Sequence, residues 1–164
     1  MKSAFSLIRV RTREKAEVVD LTTQVADAVS RSGVNEGICT VFVRHATAAI
    51  MINENADPGF GLDLVAALDK LFPEGVWEHD KVDDNGAAHL KAAVLGPSEA
   101  VPVRDGQLLL GTWQGIALVE CDGRGTARSS STCDSDAAPS RAAAGAALRG
   151  RASRRPARRG RATG

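Results

Sequence analysis

The chain has 164 residues, 43% of them apolar, with 21 Lys and Arg against 20 Asp and Glu, three Cys, three His and no Tyr. That length suits one domain with a real buried core. The net charge of +1 conceals a split: residues 1–123 carry 11 basic and 18 acidic side chains, a net of −7, while residues 124–164 carry ten Arg against Asp134 and Asp136, a net of +8. No run approaches the ~20 apolar residues of a membrane helix, and Met1-Lys2-Ser3 lacks the apolar stretch that opens a signal peptide. Cys39, Cys121 and Cys133 are odd in number, far apart and never in a C-x-x-C pair. This argues against a disulfide framework or a Cys-rich zinc knuckle and for reduced thiols in a cytoplasmic protein.

Phe5 to Thr12 ends in polar/apolar alternation and predicts a half-buried strand; Arg13 to Ala16 reads as a turn, and Glu17 to Asp20 as a short strand. Leu21, Val25, Ala28 and Val29 fall at helical spacing, so a helix is expected over Thr22 to Ser32, with Gly33 placed for a left-handed cap. Gly37 opens a strand over Ile38 to Arg44. Cys39, Val41 and Val43 share a face there with His45, which sets a histidine at a strand's rim. Ala48 to Ile52 predicts another strand. Asp57-Pro58 then starts a helix to about Phe72 that buries Leu64, Leu68 and Leu71 and stops at Pro73-Glu74-Gly75. Trp77 to Gly86 is an acidic loop, Ala87 to Leu95 a short helix ended by Gly96-Pro97, and Val101–Val103 with Leu108–Leu110 a hairpin. Gly111 to Gly115 reads as a glycine-bounded bend before a last strand over Ile116 to Cys121. About seven short strands with two or three helices predict an α+β fold, β-rich, with a largely antiparallel, sandwich-like sheet.

All three histidines fall in this core: His45 at a strand end, His79 in the acidic loop and His89 on a short helix. Three neutral imidazoles with an open fourth position make a catalytic zinc site, and Glu78, Asp80, Asp83 and Asp84 supply further ligands or acceptors that fix the ring tautomers. Against this, solitary histidines are more often surface or hydrogen-bonded residues, the spacing is not a fixed i, i+4 pattern, and an acidic loop is ordinarily a solvated face. Asn53, Glu54 and Asn55 suit either substrate polar groups or turns and caps. Trp113 suits either a flat ligand ring or the core. Phosphate-loop, dinucleotide-binding and nucleophile-elbow patterns are absent.

Five ordered blocks carry a family resemblance over residues 5–123. They are Phe42-Val43-Arg44-His45-Ala46-Thr47-Ala48-Ala49, Asn53-Glu54-Asn55-Ala56-Asp57-Pro58, the stretch from Glu78-His79-Asp80 through Asp83-Asp84 to Ala88-His89-Leu90-Lys91, Val101-Pro102-Val103, and Gly111-Thr112-Trp113-Gln114-Gly115. The chain resembles the YjbQ-like family, often labelled secondary thiamine-phosphate synthases. The resemblance implies a compact β-rich fold, a homotrimer with polar pockets near subunit boundaries, and a metal or anion site at His45, His79 and His89, with zinc as the divalent metal. It implies a cytoplasmic transferase of thiamine biosynthesis that joins the pyrimidine diphosphate precursor to thiazole phosphate and releases pyrophosphate. The histidines with Asp83 and Asp84 are the expected catalytic residues. Asn53, Glu54, Asn55, Thr112, Trp113 and Gln114 are the expected substrate contacts. The alternative reading is a non-catalytic metal- or metabolite-binding trimer. Ala46 departs from the family pattern, standing where a hydroxyl usually follows the motif histidine.

The larger departure begins near Gly125. Relatives end in a strand of the form R-V-V-V-T-V; here Ala127-Arg128-Ser129-Ser130-Ser131-Thr132-Cys133 stands in its place. Leu148 is the only large aliphatic residue after Val119, so residues 124–164 read as a disordered Arg/Ala/Ser/Gly-rich tail beside a 1–123 core domain. Valine codons read one base late give serine in a GC-rich gene, which makes a shifted reading frame the expected origin. The rival is a basic arm tracking nucleic-acid phosphates, disfavoured because no aromatic residues interleave the arginines.

Overall fold

The computed structural model describes residues 2–123 and 143–151. Two antiparallel sheets form its frame. Strands β1 (Lys2–Arg9), β3 (Glu36–Val43), β5 (Ser98–Arg104), β6 (Gln107–Leu108) and β8 (Ala143–Arg151) make a five-stranded sheet in the order β1-β8-β3-β5-β6. Strands β2 (Glu17–Asp20), β4 (Ala48–Glu54) and β7 (Gln114–Glu120) make a three-stranded sheet in the order β2-β7-β4. The α+β, antiparallel architecture expected from the sequence is the one observed.

The three-stranded sheet is buried on both faces, which explains the near-continuous apolar runs of β4 and β7. Ala48, Ile50, Ile116 and Leu118 point into a core shared with Ile8, Cys39, Val41, Val43, Val101 and Val103 of the larger sheet and with Leu21, Val25 and Val29. The alternate residues Ala49, Met51, Ala117, Val119 and Cys121 pack with Leu68 and Ala88 in a second core, as the two-residue period of a strand requires. Helix α1 (Thr22–Ser32) closes the first core and ends on Gly33 at φ 62°, the left-handed position the sequence predicts. Helices α2 (Pro58–Leu71) and α4 (Gly86–Leu95) cover the second. Asp57 caps α2 by accepting the Gly59 N–H at 2.8 Å, which satisfies a donor left free at the helix start.

Several expectations are corrected. The first strand lies earlier than the alternation suggests, at Lys2–Arg9, and the hairpin's second strand is the two-residue β6. A four-residue helix, α3 (Asp80–Asp83), stands inside the acidic loop. Leu71 is 68% exposed rather than buried, because α2 is anchored mainly through Leu68 and the chain is already leaving the sheet at Leu71. Within the segment read from composition as disordered, Ala143–Arg151 forms β8 and fills the slot between β1 and β3. That slot demands backbone N–H and C=O partners on both sides, and small residues supply them without needing apolar bulk. The serine run, Cys133 and the rest of 124–142 and 152–164 lie outside the described residues.

Candidate functional site

His45 sits in the turn between β3 and β4. The buried Thr47 holds its ring: the hydroxyl lies 3.0 Å from Nδ1 and the Thr47 N–H 3.4 Å from the same nitrogen. With that N–H aimed at Nδ1, the neutral imidazole keeps its proton on Nε2. The hydroxyl absent at Ala46 is therefore supplied one residue on. Thr47 is tied across the fold, since its carbonyl accepts the Cys121 N–H at 3.0 Å at the end of β7.

His79 precedes α3 and His89 lies one turn into α4; their ring centroids stand 4.7 Å apart, edge to face at 80°. Asp80 builds this approach. One carboxylate oxygen accepts the Trp77 N–H at 2.8 Å and the other the Gly86 N–H at 2.7 Å, so the start of α4 is drawn onto the turn that carries His79. The Trp77 N–H, with help from the Gly86 N–H and the His79 charge, holds the Asp80 carboxyl below its ordinary range against the opposing effect of burial. Gly86 must lack a side chain here: a Cβ would come within 2.8 Å of both the Asp80 carboxylate and the Trp77 Cβ. Asp83 and Asp84 are exposed beside the pair, and Asp84 adopts φ 53° to end α3. Asn85 then donates to Asp122 at 2.8 Å, fastening α4 to the same end of β7 that holds the His45 turn. Lys91, 3% exposed, pairs with Asp69 and fastens α4 to α2.

The three histidines thus collect at one end of the β4–β7 ladder, where Ala48 pairs with Glu120. They do not converge on one point. Among the described residues no group of three or more His, Cys, Asp or Glu is placed to hold a metal ion. The three-histidine zinc set therefore does not fit a single chain. The buried cysteines are no substitute: loss of solvent pushes the Cys39 thiol up to about 11 and the Cys121 thiol up to about 12, so both stay protonated and unreactive near neutrality.

The expected substrate contacts gather at the opposite end. Asn53 pairs with Gly115 and Glu54 with Gln114; the Asn55 N–H donates to the Trp113 carbonyl at 3.1 Å. Gln114 braces the bend by accepting the Gly111 N–H at 2.8 Å while its own N–H returns to the Gly111 carbonyl at 3.0 Å. Trp113 is 66% exposed and is no core residue. Burial pushes the Asp20 carboxyl up, but hydrogen bonds from Thr22 and Asn55 outweigh it and hold the group below its usual value. Ala48 and Asn53 stand five steps apart along β4, about 17 Å at a strand's rise. Of the residues that fix the histidine end, Asp80 was read from the sequence as a ligand or acceptor and Thr47 lay inside a motif block without a role, whereas Asn85 and Asp122 carried no sequence signal.

Among the described residues no helix is long and apolar enough to cross a membrane. The sequence profile of the family described as UPF0047 protein YjbQ-like matches residues 6–132. The chain is 41% identical to a UPF0047 protein of Methanocaldococcus jannaschii over 115 residues, covering 70% of this chain and 83% of that protein. It is 38% identical to the UPF0047 protein YugU of Bacillus subtilis over 119 residues, covering 71% and 88%. A crystal structure of a protein of unknown function from Sulfolobus solfataricus superimposes with a TM-score of 0.79 at 38% identity, covering 92% of this chain and 99% of that one. A hypothetical protein from Aeropyrum pernix gives 0.78 at 34% identity, covering 90% and 99%. With the profile spanning most of its length and relatives this similar, the chain belongs to the UPF0047 YjbQ-like family.

Proposed function

We propose that the chain is a transferase of the thiamine-phosphate-synthase type, joining the pyrimidine diphosphate precursor to thiazole phosphate and releasing pyrophosphate. The observation that carries this reading is the His79–His89 pair, two imidazoles from separate helical elements set 4.7 Å apart beside an acidic turn. In this reading the ring N–H groups donate to the departing pyrophosphate, a role for fixed donors where charge develops. Asp83 and Asp84 face the divalent cation that a diphosphate substrate brings with it.

Trp113, with Asn53, Asn55 and Gln114 around it, offers an exposed indole and amides for a flat, polar ring. Because this cluster stands at the far end of the ladder, its contact with a ligand at the histidines comes from a neighbouring copy in a homotrimer. A face suited to self-association supports that assembly. Phe5 (73% exposed), Leu7 (50%), Ile38 (53%) and Phe42 (45%) lie on the outer side of the larger sheet, on the two strands that flank β8, and large apolar side chains left exposed on one sheet face suit an interaction surface. Light scattering on a Phe5→Ser/Phe42→Ser chain tests it, with a monomer as the expected result.

The separation of the two clusters favours one other reading, a trimer that binds a phosphorylated metabolite or a metal without catalysis. Pyrophosphate release from the two precursors decides. A transferase forms pyrophosphate and condensed product in equal amounts and loses about 100-fold or more in kcat/KM on His79→Ala/His89→Ala substitution. Binding of pyrophosphate with no turnover, unaffected by added divalent metal, would replace the transferase by the binding protein.

A further inference from the structure

Glu120, the last residue of β7, breaks the apolar pattern of its strand. It falls in the row of Ile116 and Leu118, which point into the first core, and it is buried with them, at 2% exposed. Among the described residues it forms no ion pair with Lys, Arg or His. A buried carboxylate without a cation is costly unless hydrogen bonds hold it. Here they come mainly from the next two residues. One oxygen, Oε1, accepts the Cys121 N–H and the Asp122 N–H, each at 3.1 Å, and the Thr12 hydroxyl lies 3.4 Å from Oε2. The chain closes over the carboxylate at Gly123, whose N–H donates to the Lys15 carbonyl at 2.8 Å. A Cβ at Gly123 would stand 2.9 Å from the Glu120 Cγ and 2.3 Å from the Glu14 carbonyl oxygen, so only glycine fits there.

Successive N–H groups that share one anionic acceptor form a small cradle, and the sharing fixes the backbone between them. The backbone fixed in this way is that of Cys121, and both limbs of the histidine end hang from it. The Cys121 N–H also meets the Thr47 carbonyl, at 3.0 Å, and Thr47 holds the His45 ring. Asp122 accepts the Asn85 amide at 2.8 Å, and the Asn85 carbonyl accepts the N–H groups of Ala88 and His89 at 3.0 and 3.3 Å. Asn85 Oδ1 is buried without a partner among the described residues, so Asp122 is the one side-chain anchor of that amide. The Asp80 bonds run to Trp77 and Gly86 and join the His79 turn to α4 without touching the sheet. Lys91 and Ala88 fasten α4 farther along, to α2 and the second core, and leave its start to Asp122.

We infer that Glu120 is a positioning residue, which sets His45 and the His79–His89 pair against each other by locking the backbone at Cys121 and Asp122. Its consequence for a ligand rests on the transferase reading above; its consequence for the histidine rings does not. The position needs an acceptor. Glutamine, whose Oε1 accepts the same two N–H groups, therefore replaces glutamate, and leucine of similar volume does not.

Full-length Glu120→Gln and Glu120→Leu chains test this, with Val29→Ala in the first core as a destabilised control. Histidine ring signals in NMR and calorimetric titration with pyrophosphate are read on each, well below its melting temperature. Glu120→Leu is expected to move the signals of all three histidines and to weaken pyrophosphate binding about tenfold or more, the cost of misplaced donors. Glu120→Gln is expected to keep the signals and to bind within about threefold of wild type. Val29→Ala should melt lower and keep both. Where the leucine chain does not fold, Glu120→Met fills the same space without an acceptor. Ring signals that stay in place in the folded leucine or methionine chain, or that move equally in Val29→Ala, would overturn the assignment and leave Glu120 a residue of the fold alone. Signals that move as far in Glu120→Gln as in Glu120→Leu would overturn it as well, by making charge rather than the two bonds the agent. A wild-type chain that binds no pyrophosphate would overturn the transferase reading only, since the ring signals still decide the role of Glu120.

Discussion

The two ends of the β4–β7 ladder are built by different means. The histidine end is assembled from residues distant in sequence: Thr47 is tied to Cys121, Asn85 to Asp122, and Lys91 to Asp69. The Trp113 end is made mostly by local turn bonds, with Gln114 closing on Gly111, Asn53 accepting its neighbour's N–H and Glu54 accepting that of Ala56. Long-range ties fix a geometry only when the whole fold is present, and they suit groups that must meet within hydrogen-bond reach. Local turns hold backbone shape but leave side chains free, which suits a surface that a ligand ring settles onto. The proposed function accordingly assigns proton donation and charge stabilisation to the first end and ring contact to the second.

The comparison breaks most sharply at Gly86. An alanine there drives a Cβ to 2.8 Å from both the Asp80 carboxylate and the Trp77 Cβ, and the second is not the free end of a flexible chain. A Gly86→Ala chain is expected to lose about 2–3 kcal/mol in chemical denaturation, the range of overpacking together with a displaced hydrogen bond. Its His79 and His89 ring signals in NMR should move while those of the Trp113 indole stay. Movement at both ends would show that the ends are one cooperative unit. Gly115→Ala is the counterpart at the other end, where a Cβ would fall 2.5 Å from that of Asn55. The Asn55 Cβ is no more a free chain end than that of Trp77 and the approach is closer, so a loss of similar size, about 2–3 kcal/mol, is expected, with changed Trp113 emission and unchanged histidine signals.

How far the sequence could show this division depends on the range of the forces involved. β2, α1 with its Gly33 cap and the Asp57-Pro58 start of α2 were legible because neighbours within one turn decide them. α3 was not, since four residues offer no period to read. β8 was hidden for a different reason. Its place is decided by the backbone needs of β1 and β3, and nothing in an Ala/Gly/Arg stretch announces a strand. The motif histidines were legible as a set, and their arrival at one end of the ladder is observed. Their failure to converge was not legible. It follows from where Asn85 meets Asp122 and where Thr47 meets Cys121, pairings between distant parts of the chain that no local pattern encodes.

A pH series separates the two ends more gently. Asp80 has a folded-state pKa below its unfolded value, so its two N–H bonds add stability that is present above the ordinary carboxylate range and is lost as pH falls through the folded pKa. Asp80→Asn keeps the shape but removes the charge and turns one of the two accepting oxygens into an NH2 donor. Its melting temperature should lie below that of wild type at pH 7, with the gap closing on acidification. A gap that is constant with pH would mean that the ionisation of Asp80 is not its source, and no gap at any pH that Asp80 acts by shape alone.

The smallest effect on stability and the clearest on binding are expected together at Trp113. With two-thirds of its surface in solvent, the indole contributes little to folding, and Trp113→Ala should stay within about 0.5 kcal/mol of wild type. The same ring is the largest exposed aromatic surface near Asn53, Asn55 and Gln114, and stacking on such a face contributes about 1 kcal/mol or more. Calorimetric titration with the pyrimidine precursor should therefore show roughly five- to tenfold weaker binding for Trp113→Ala, while pyrophosphate, which carries no ring, binds as before. Loss of pyrophosphate affinity in this variant would mean that the two ends meet in one pocket through direct contact rather than through separate parts of one ligand. Unchanged affinity for both ligands would remove Trp113 from the site and leave the histidine end to bind alone.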